Sequence, residues 1–206
     1  MKKKAFLLTC DENSERGVFS KNLLEKIGFD VIIQNAILHE DPVISNKISL
    51  AEIYRKIANM NEKWVYIFED DINIHEMFDI NELDEYEKIS KDFYYLGCCC
   101  NVPVFHNETD IVINNHNVVM VKGGVRGTHA YGVSKEGAVK LYNYVLLLDA
   151  IKPADIFLDT YTYFNPTYVY RYDLESYIPG HKGIFFQDRK KFNSQLSDTN
   201  YGSGKF

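Results

Sequence analysis

Residues Trp64–Phe78 read WVYIFEDDINIHEMF, and this stretch decides the fold. Five largely apolar residues, Trp64 to Phe68, run straight into three consecutive acids, Glu69, Asp70 and Asp71. The near-continuous apolar run is the pattern of a buried parallel strand. Repulsion and desolvation both oppose three like charges at its end, unless the charges are solvated or a cation sits among them.

Outward from this strand the chain alternates. KAFLLTC (4–10) reads as a first strand, SERGVFSKNLLEKIG (14–28) as a helix closed by Gly28, and FDVIIQNAI (29–37) as a second strand. LHEDPVISN (38–46) reads as a polar loop and ISLAEIYRKIANM (48–60) as an amphipathic helix. After the acids come a short acidic helix, NELDEYEKIS (81–90), and a strand, FYYLGCCC (93–100). The rhythm predicts an α/β fold, with a mostly parallel sheet flanked by helices, in a single domain over residues 1–206. DIVINNHNVVMVKGG (110–124) reads as a hairpin turning at Asn114 to Asn117. SKEGAVKLYNYVLLL (134–148) reads as a helix capped by Ser134, TYVYRYD (167–173) as a late strand, and the tail from Gln187 as irregular.

Composition narrows the class. The chain is 46% hydrophobic and 25% charged, ordinary for a globular protein. Fifteen Tyr and thirteen Phe suit broad, semi-polar clefts, and they pack equally well in cores. A net charge of -6 argues against nonspecific nucleic-acid binding. No run of eighteen apolar residues occurs, so no transmembrane segment is expected. The three N-terminal Lys precede an apolar stretch too short for a signal peptide. Adjacent Cys98, Cys99 and Cys100 suit neither a disulfide framework nor a zinc site, which points to a reduced, cytoplasmic setting.

In such sheets ligands bind beyond the C-terminal strand ends, where the acids lie. Strand alternation puts Glu69 and Asp71 on one face and Asp70 on the other. Two convergent carboxylates suit Mg²⁺ or Mn²⁺, which take further ligands from substrate phosphates. Capping of a following helix is an equal alternative.

ISLAEIYRKIANMNEKWVYIFEDDINI resembles the signature of glycosyltransferase family 25, in which a helix precedes a hydrophobic strand ending in an acidic motif of the DxD type. FLLTCDENSER, YYLG, GTHAYGVSKEGAVKLY, PADIFLD and FFQD resemble further family segments, in the family's order. The stretch NKISLAEIY lacks the family's Ser-His. The resemblance extends to close relatives on the same scaffold, viral transferases among them. It implies a GT-A-type nucleotide-binding sheet with a smaller acceptor-binding part. The implied reaction moves a hexose from UDP-galactose or UDP-glucose to a glycan hydroxyl, with inversion. An inactive carbohydrate- or nucleotide-sugar-binding module on the same scaffold is the alternative.

By this resemblance Glu69 and Asp71 hold Mn²⁺ or Mg²⁺, with His181 of the Gly-flanked loop IPGHKG as a late third ligand; a surface-loop histidine is the structural alternative. Arg16 meets the nucleotide; a guanidinium there can stack on a base or pair with a phosphate. Asp155 of the Pro-x-Asp segment is the base for the acceptor hydroxyl; capping a helix after Pro153 is the structural alternative. His129 of RGTHAY contacts sugar or acceptor, or assists proton transfer, with a core histidine bonded to a backbone carbonyl as the structural alternative; Tyr131 offers a hydroxyl and a stacking face. Asp70, Asp159, Lys182 and Gln187 complete the expected substrate-binding set, Lys182 facing the diphosphate.

Overall fold

The computed structural model describes residues 2–75, 79–99, 105–147 and 154–192. The chain opens with β1 (Lys3–Thr9), α1 (Glu15–Lys26) and β2 (Phe29–Asn35), as the sequence predicts. The next helix, α2 (Pro42–Ala58), begins within the stretch read as a loop. Asp41 caps it by accepting from the Val43 N–H at 2.8 Å. Pro42 occupies the first helical position, where its missing N–H costs nothing.

β3 (Trp64–Glu69) is followed by a turn at Asp70–Asp71 and a short β4 (Ile72–Ile74). Glu69 therefore ends the strand, Asp70 and Asp71 make the turn, and the acids do not cap a helix. α3 (Leu83–Ile89) leads into β5 (Phe93–Cys99). β6 (Phe105–Ile113) and β7 (His116–Lys122) form the expected hairpin. Its turn is Asn114–Asn115 alone, both left-handed, with φ of 49° and 66°. Asn tolerates this conformation, which two-residue hairpin turns require.

β8 (Arg126–Ser134) is a strand that the sequence pattern did not reveal. α4 (Lys135–Leu147) follows, with Ser134 Oγ accepting from the Gly137 N–H at 2.9 Å as the predicted cap. α5 (Ala154–Phe164) carries Asp155 and Asp159; the expected Pro153 position lies outside the described residues. β9 (Thr167–Val169) is shorter than predicted, because the chain turns at Arg171, with φ of 56°. Last come β10 (His181–Gly183) and β11 (Phe185–Gln187), in a segment expected as loop. Most of the tail, from residue 193, lies outside the described residues.

The main sheet has nine strands among the described residues, in the order β2-β1-β3-β8-β5-β9-β7-β6, with β10 on β5. β1, β2, β3, β5, β6 and β9 run one way; β7, β8 and β10 run against them. The α/β class with a mostly parallel sheet flanked by helices is thus observed, with an antiparallel β8 inserted at its centre. β4 and β11 form a separate two-stranded ribbon.

Both sheet faces are buried. One core packs Ile67, Tyr95, Tyr131 and Val133 against Tyr54 and Phe157 of the α2 and α5 layer. The other packs Phe68, Tyr94 and Phe185 with Leu24 of α1 and Tyr86 of α3. Burial on both faces explains why Trp64–Phe68 is apolar without alternation. No helix of the described residues is long and apolar enough to cross a membrane.

Candidate functional site

The C-terminal ends of β1 and β3 lie side by side, with Leu8 opposite Glu69. A cleft opens there, lined by Thr9, Arg16, Asn46, the three acids, Gln187 and Arg189.

Each acid has its own set of partners. Asp70 is 5% exposed and pinned: its Oδ1 lies 2.5 Å from the Arg16 guanidinium, and its Oδ2 accepts from Thr9 Oγ1 at 2.6 Å. Ser20 Oγ donates to its carbonyl at 2.9 Å, tying α1 to the turn. Asp71 Oδ2 lies 3.0 Å from Arg189 and 3.8 Å from Arg16. Glu69 Oε1 accepts from Thr128 Oγ1 at 2.6 Å and from Asn46 Nδ2 at 3.3 Å. Gln187 Nε2 stands between the acids, 3.4 Å from Glu69 Oε2 and 3.3 Å from Asp71 Oδ2.

Burial pushes the Glu69 carboxyl up to about 7, and the Asp71 charge adds to it, while the Thr128 hydrogen bond opposes it. Burial also raises Asp71, against the pull of Arg189 and Arg16. The cleft therefore holds three carboxylates and two guanidinium groups, and Glu69 has no cation of its own within ion-pair distance among the described residues.

Two histidines lie close together near Arg189. The β3–β8 ladder ends at Phe68–Ala130, and His129 is the preceding residue of β8. It is fully buried, and the backbone of Phe185 is a polar neighbour of its ring. Burial, then the nearby His181 and Arg189, push its pKa down to about 3, so the ring is neutral. His181 is a buried strand residue rather than a surface-loop one. It pairs with Cys99 across β10–β5, its Nδ1 lies 3.6 Å from Cys99 Sγ, and its ring stacks 6.3 Å from His129. Burial and then Arg189 push His181 down to about 4.

The structure brings together Arg16, Glu69, Asp70, Asp71 and Gln187 of the expected set. It does not bring His181 to Glu69 and Asp71: no group of three metal-ligating side chains forms among the described residues. Tyr131 faces the core, fully buried, with its hydroxyl 2.6 Å from that of Tyr54. Lys182 is spent on Glu175 at 2.8 Å. Asp155 and Asp159 sit on α5, near Arg126, which opens β8 opposite Cys99. Burial raises both carboxyls, and the Oδ1 atom of each is buried without a hydrogen-bond partner among the described residues.

Sequence reasoning missed Arg189, Asn46, Thr9 and Thr128. Only Arg189 carried a signal, as the first base of DRKK after the closing Gln. The others are neutral residues, whose roles depend on which strand ends meet.

No protein-family model and no curated protein matches this chain. Solved structures do. The A197 protein from STIV is similar at 11% identity, over 82% of this chain and 81% of that one, with a TM-score of 0.47. A glycosyltransferase involved in glycosylation of the major capsid of PBCV-1 is similar at 10% identity, over 69% and 66%, with a TM-score of 0.43. HddC from Yersinia pseudotuberculosis is similar at 13% identity, over 76% and 84%, with a TM-score of 0.39. These are likenesses of chain path alone, and the reading of the site rests on its own residues.

Proposed function

We propose that the protein is a glycosyltransferase that moves a hexose from a nucleotide sugar, UDP-galactose or UDP-glucose, to a glycan hydroxyl with inversion. One observation carries this reading: three carboxylates and two guanidinium groups share one cleft at the C-terminal end of the sheet. Arg16 and Arg189 are already committed to Asp70 and Asp71. A nucleoside diphosphate would add further negative charge to a site whose two guanidinium groups already face carboxylates. It enters favourably only with added positive charge, so the donor set fits a divalent cation, Mn²⁺ or Mg²⁺, on Glu69 and Asp71. Such an ion offsets the charge that develops on the leaving nucleoside diphosphate.

The chain's own residues do the rest. Asp70 clamps Arg16 against the cleft wall, so the guanidinium is oriented before the donor arrives. A guanidinium so held can turn its edge to a phosphate or stack on a base. Asn46 and Thr128 hold Glu69 in place. Asp155 is our base for the acceptor hydroxyl. Its Oδ1 has no donor among the described residues, and burial raises its carboxyl, the direction that makes a carboxylate a stronger base.

The Arg189–Asp71 pair favours a second reading, a binding module that holds its ligand without turnover. Release of free sugar from each donor, followed with and without Mn²⁺, separates the two. Slow Mn²⁺-dependent hydrolysis supports the transferase; tight donor binding without release supports the module. Asp71→Asn is expected to weaken cation affinity about 10–100-fold and to abolish cation-dependent turnover while the fold persists. Undiminished turnover with unchanged cation dependence in that variant would overturn the proposal.

A further inference from the structure

Resting on that reading, we propose that Gln187 is the third protein ligand of the cation, its side-chain amide turning from donor to acceptor when a divalent ion binds.

Three carboxylate oxygens converge on one nitrogen. Gln187 Nε2 is 3.4 Å from Glu69 Oε2, 3.5 Å from Asp71 Oδ1 and 3.3 Å from Asp71 Oδ2. All three are long for a hydrogen bond to a charged acceptor, which runs at about 2.7–2.9 Å. An amide has only two N–H bonds and cannot serve three acceptors. Glu69 Oε2 and Asp71 Oδ1 have no other hydrogen bond or ion pair among the described residues. Gln187 thus stands weakly bound at the point where the two acids face one another, as a neutral placeholder for positive charge.

Its position is fixed from behind. In the β4–β11 ribbon Gln187 lies opposite Ile72, the residue that follows the acids. One residue on, the Asp188 N–H donates to the Asp71 carbonyl at 2.8 Å. The backbone cannot drift from the acids, but the terminal amide torsion is soft and close to two-fold. A half-turn puts Oε1 where Nε2 now stands, and an amide oxygen is a hard ligand suited to Mn²⁺, Mg²⁺ or Ca²⁺. The competing candidate, His181, is held beside Cys99 and His129. Arg189 occupies Asp71 Oδ2 and leaves Oδ1 to the glutamine.

Free Mn²⁺ measured by electron paramagnetic resonance tests the assignment directly, on the full chain with and without UDP. Gln187→Met removes ligand and donor at nearly constant volume, and Gln187→Ala serves if the Met variant does not fold. Loss of a ligand weakens Mn²⁺ binding about tenfold or more. A residue that was only a competing donor has the opposite sign: freeing the acids leaves Mn²⁺ affinity unchanged or tighter. That outcome overturns the assignment while wild-type Mn²⁺ binding keeps the metal reading intact. Absence of Mn²⁺ binding by the wild type, with and without UDP, overturns both.

Discussion

His129 carries a protonation consequence that can be signed in advance. Its folded pKa of about 3 lies below the ordinary 6.5, chiefly because the ring is buried. A depressed histidine contributes stability that is present above pH 6.5 and lost as pH falls towards 3. Glu69 has the opposite sign: its folded value of about 7 lies above the ordinary 4.5, so acidification between these values stabilises the fold. Between pH 4.5 and 6.5 the two oppose one another in the wild type. His129→Phe removes one side of that balance. Its stability relative to wild type should rise on acidification across this window, by up to about 1.4 kcal/mol per pH unit. Urea unfolding of both proteins at stepped pH checks this, and parallel curves would refute the buried neutral histidine. At this scale the acids were legible, because like charges at a strand end are costly wherever they occur. Arg189 and Gln187 stand far along the chain from the acids, and nothing local to either indicates which carboxylate it faces.

Elements, more than residues, decided what the sequence concealed. β8 reads RGTHAYGVS, with two glycines and mixed polarity, and its strand state follows from the slot between β3 and β5 rather than from propensity. α2 gains its first turn from Asp41 and Pro42, start signals that stood in plain view within the assumed loop. β10 and β11, of three residues each, are too short for any periodicity, yet they bring Gln187 to the site. The close approach depends on Gly97 of β5, where the β8 register also shifts. A Cβ there would meet the Phe185 carbonyl oxygen at 2.2 Å and His129 Nε2 at 2.6 Å. The carbonyl belongs to β11 and has little room to yield. Gly97→Ala is expected to lower stability by about 1–3 kcal/mol, as overpacking does, and to displace the ribbon from the acids. A lower urea midpoint with weakened Mn²⁺ binding is the expected pair of results. Unchanged Mn²⁺ affinity would show that the ribbon does not position the cation site.

Across the whole molecule the expected residues gather at one end of the sheet even where they do not touch. Thr9, Glu69 and Cys99 end β1, β3 and β5, and the antiparallel β8 begins there with Arg126, Thr128 and His129. The alternating elements made this end legible, since parallel strands between helices place their C-terminal ends together. The inserted β8 was not legible, and it accounts for Tyr131 falling in the core, its hydroxyl against that of Tyr54. A site built from so many strand ends couples ligand binding to global stability. A ligand that binds only the folded chain adds about 2.7 kcal/mol at a hundred times its Kd, which for a chain of this length raises Tm by about 5–10 °C. UDP with Mn²⁺ should give such a rise, and UDP with a chelator a much smaller one. Glu69→Gln should reduce the difference between the two conditions, because it removes a carboxylate charge from the cation site and leaves Arg16 in place. It should also unfold at no lower temperature than wild type when no ligand is present, since the substitution removes a partly buried carboxyl held near 7. An equal rise with and without Mn²⁺ in the wild type would mean that Arg16 and Arg189 meet the diphosphate unaided, and the cation would then have no part in holding the donor.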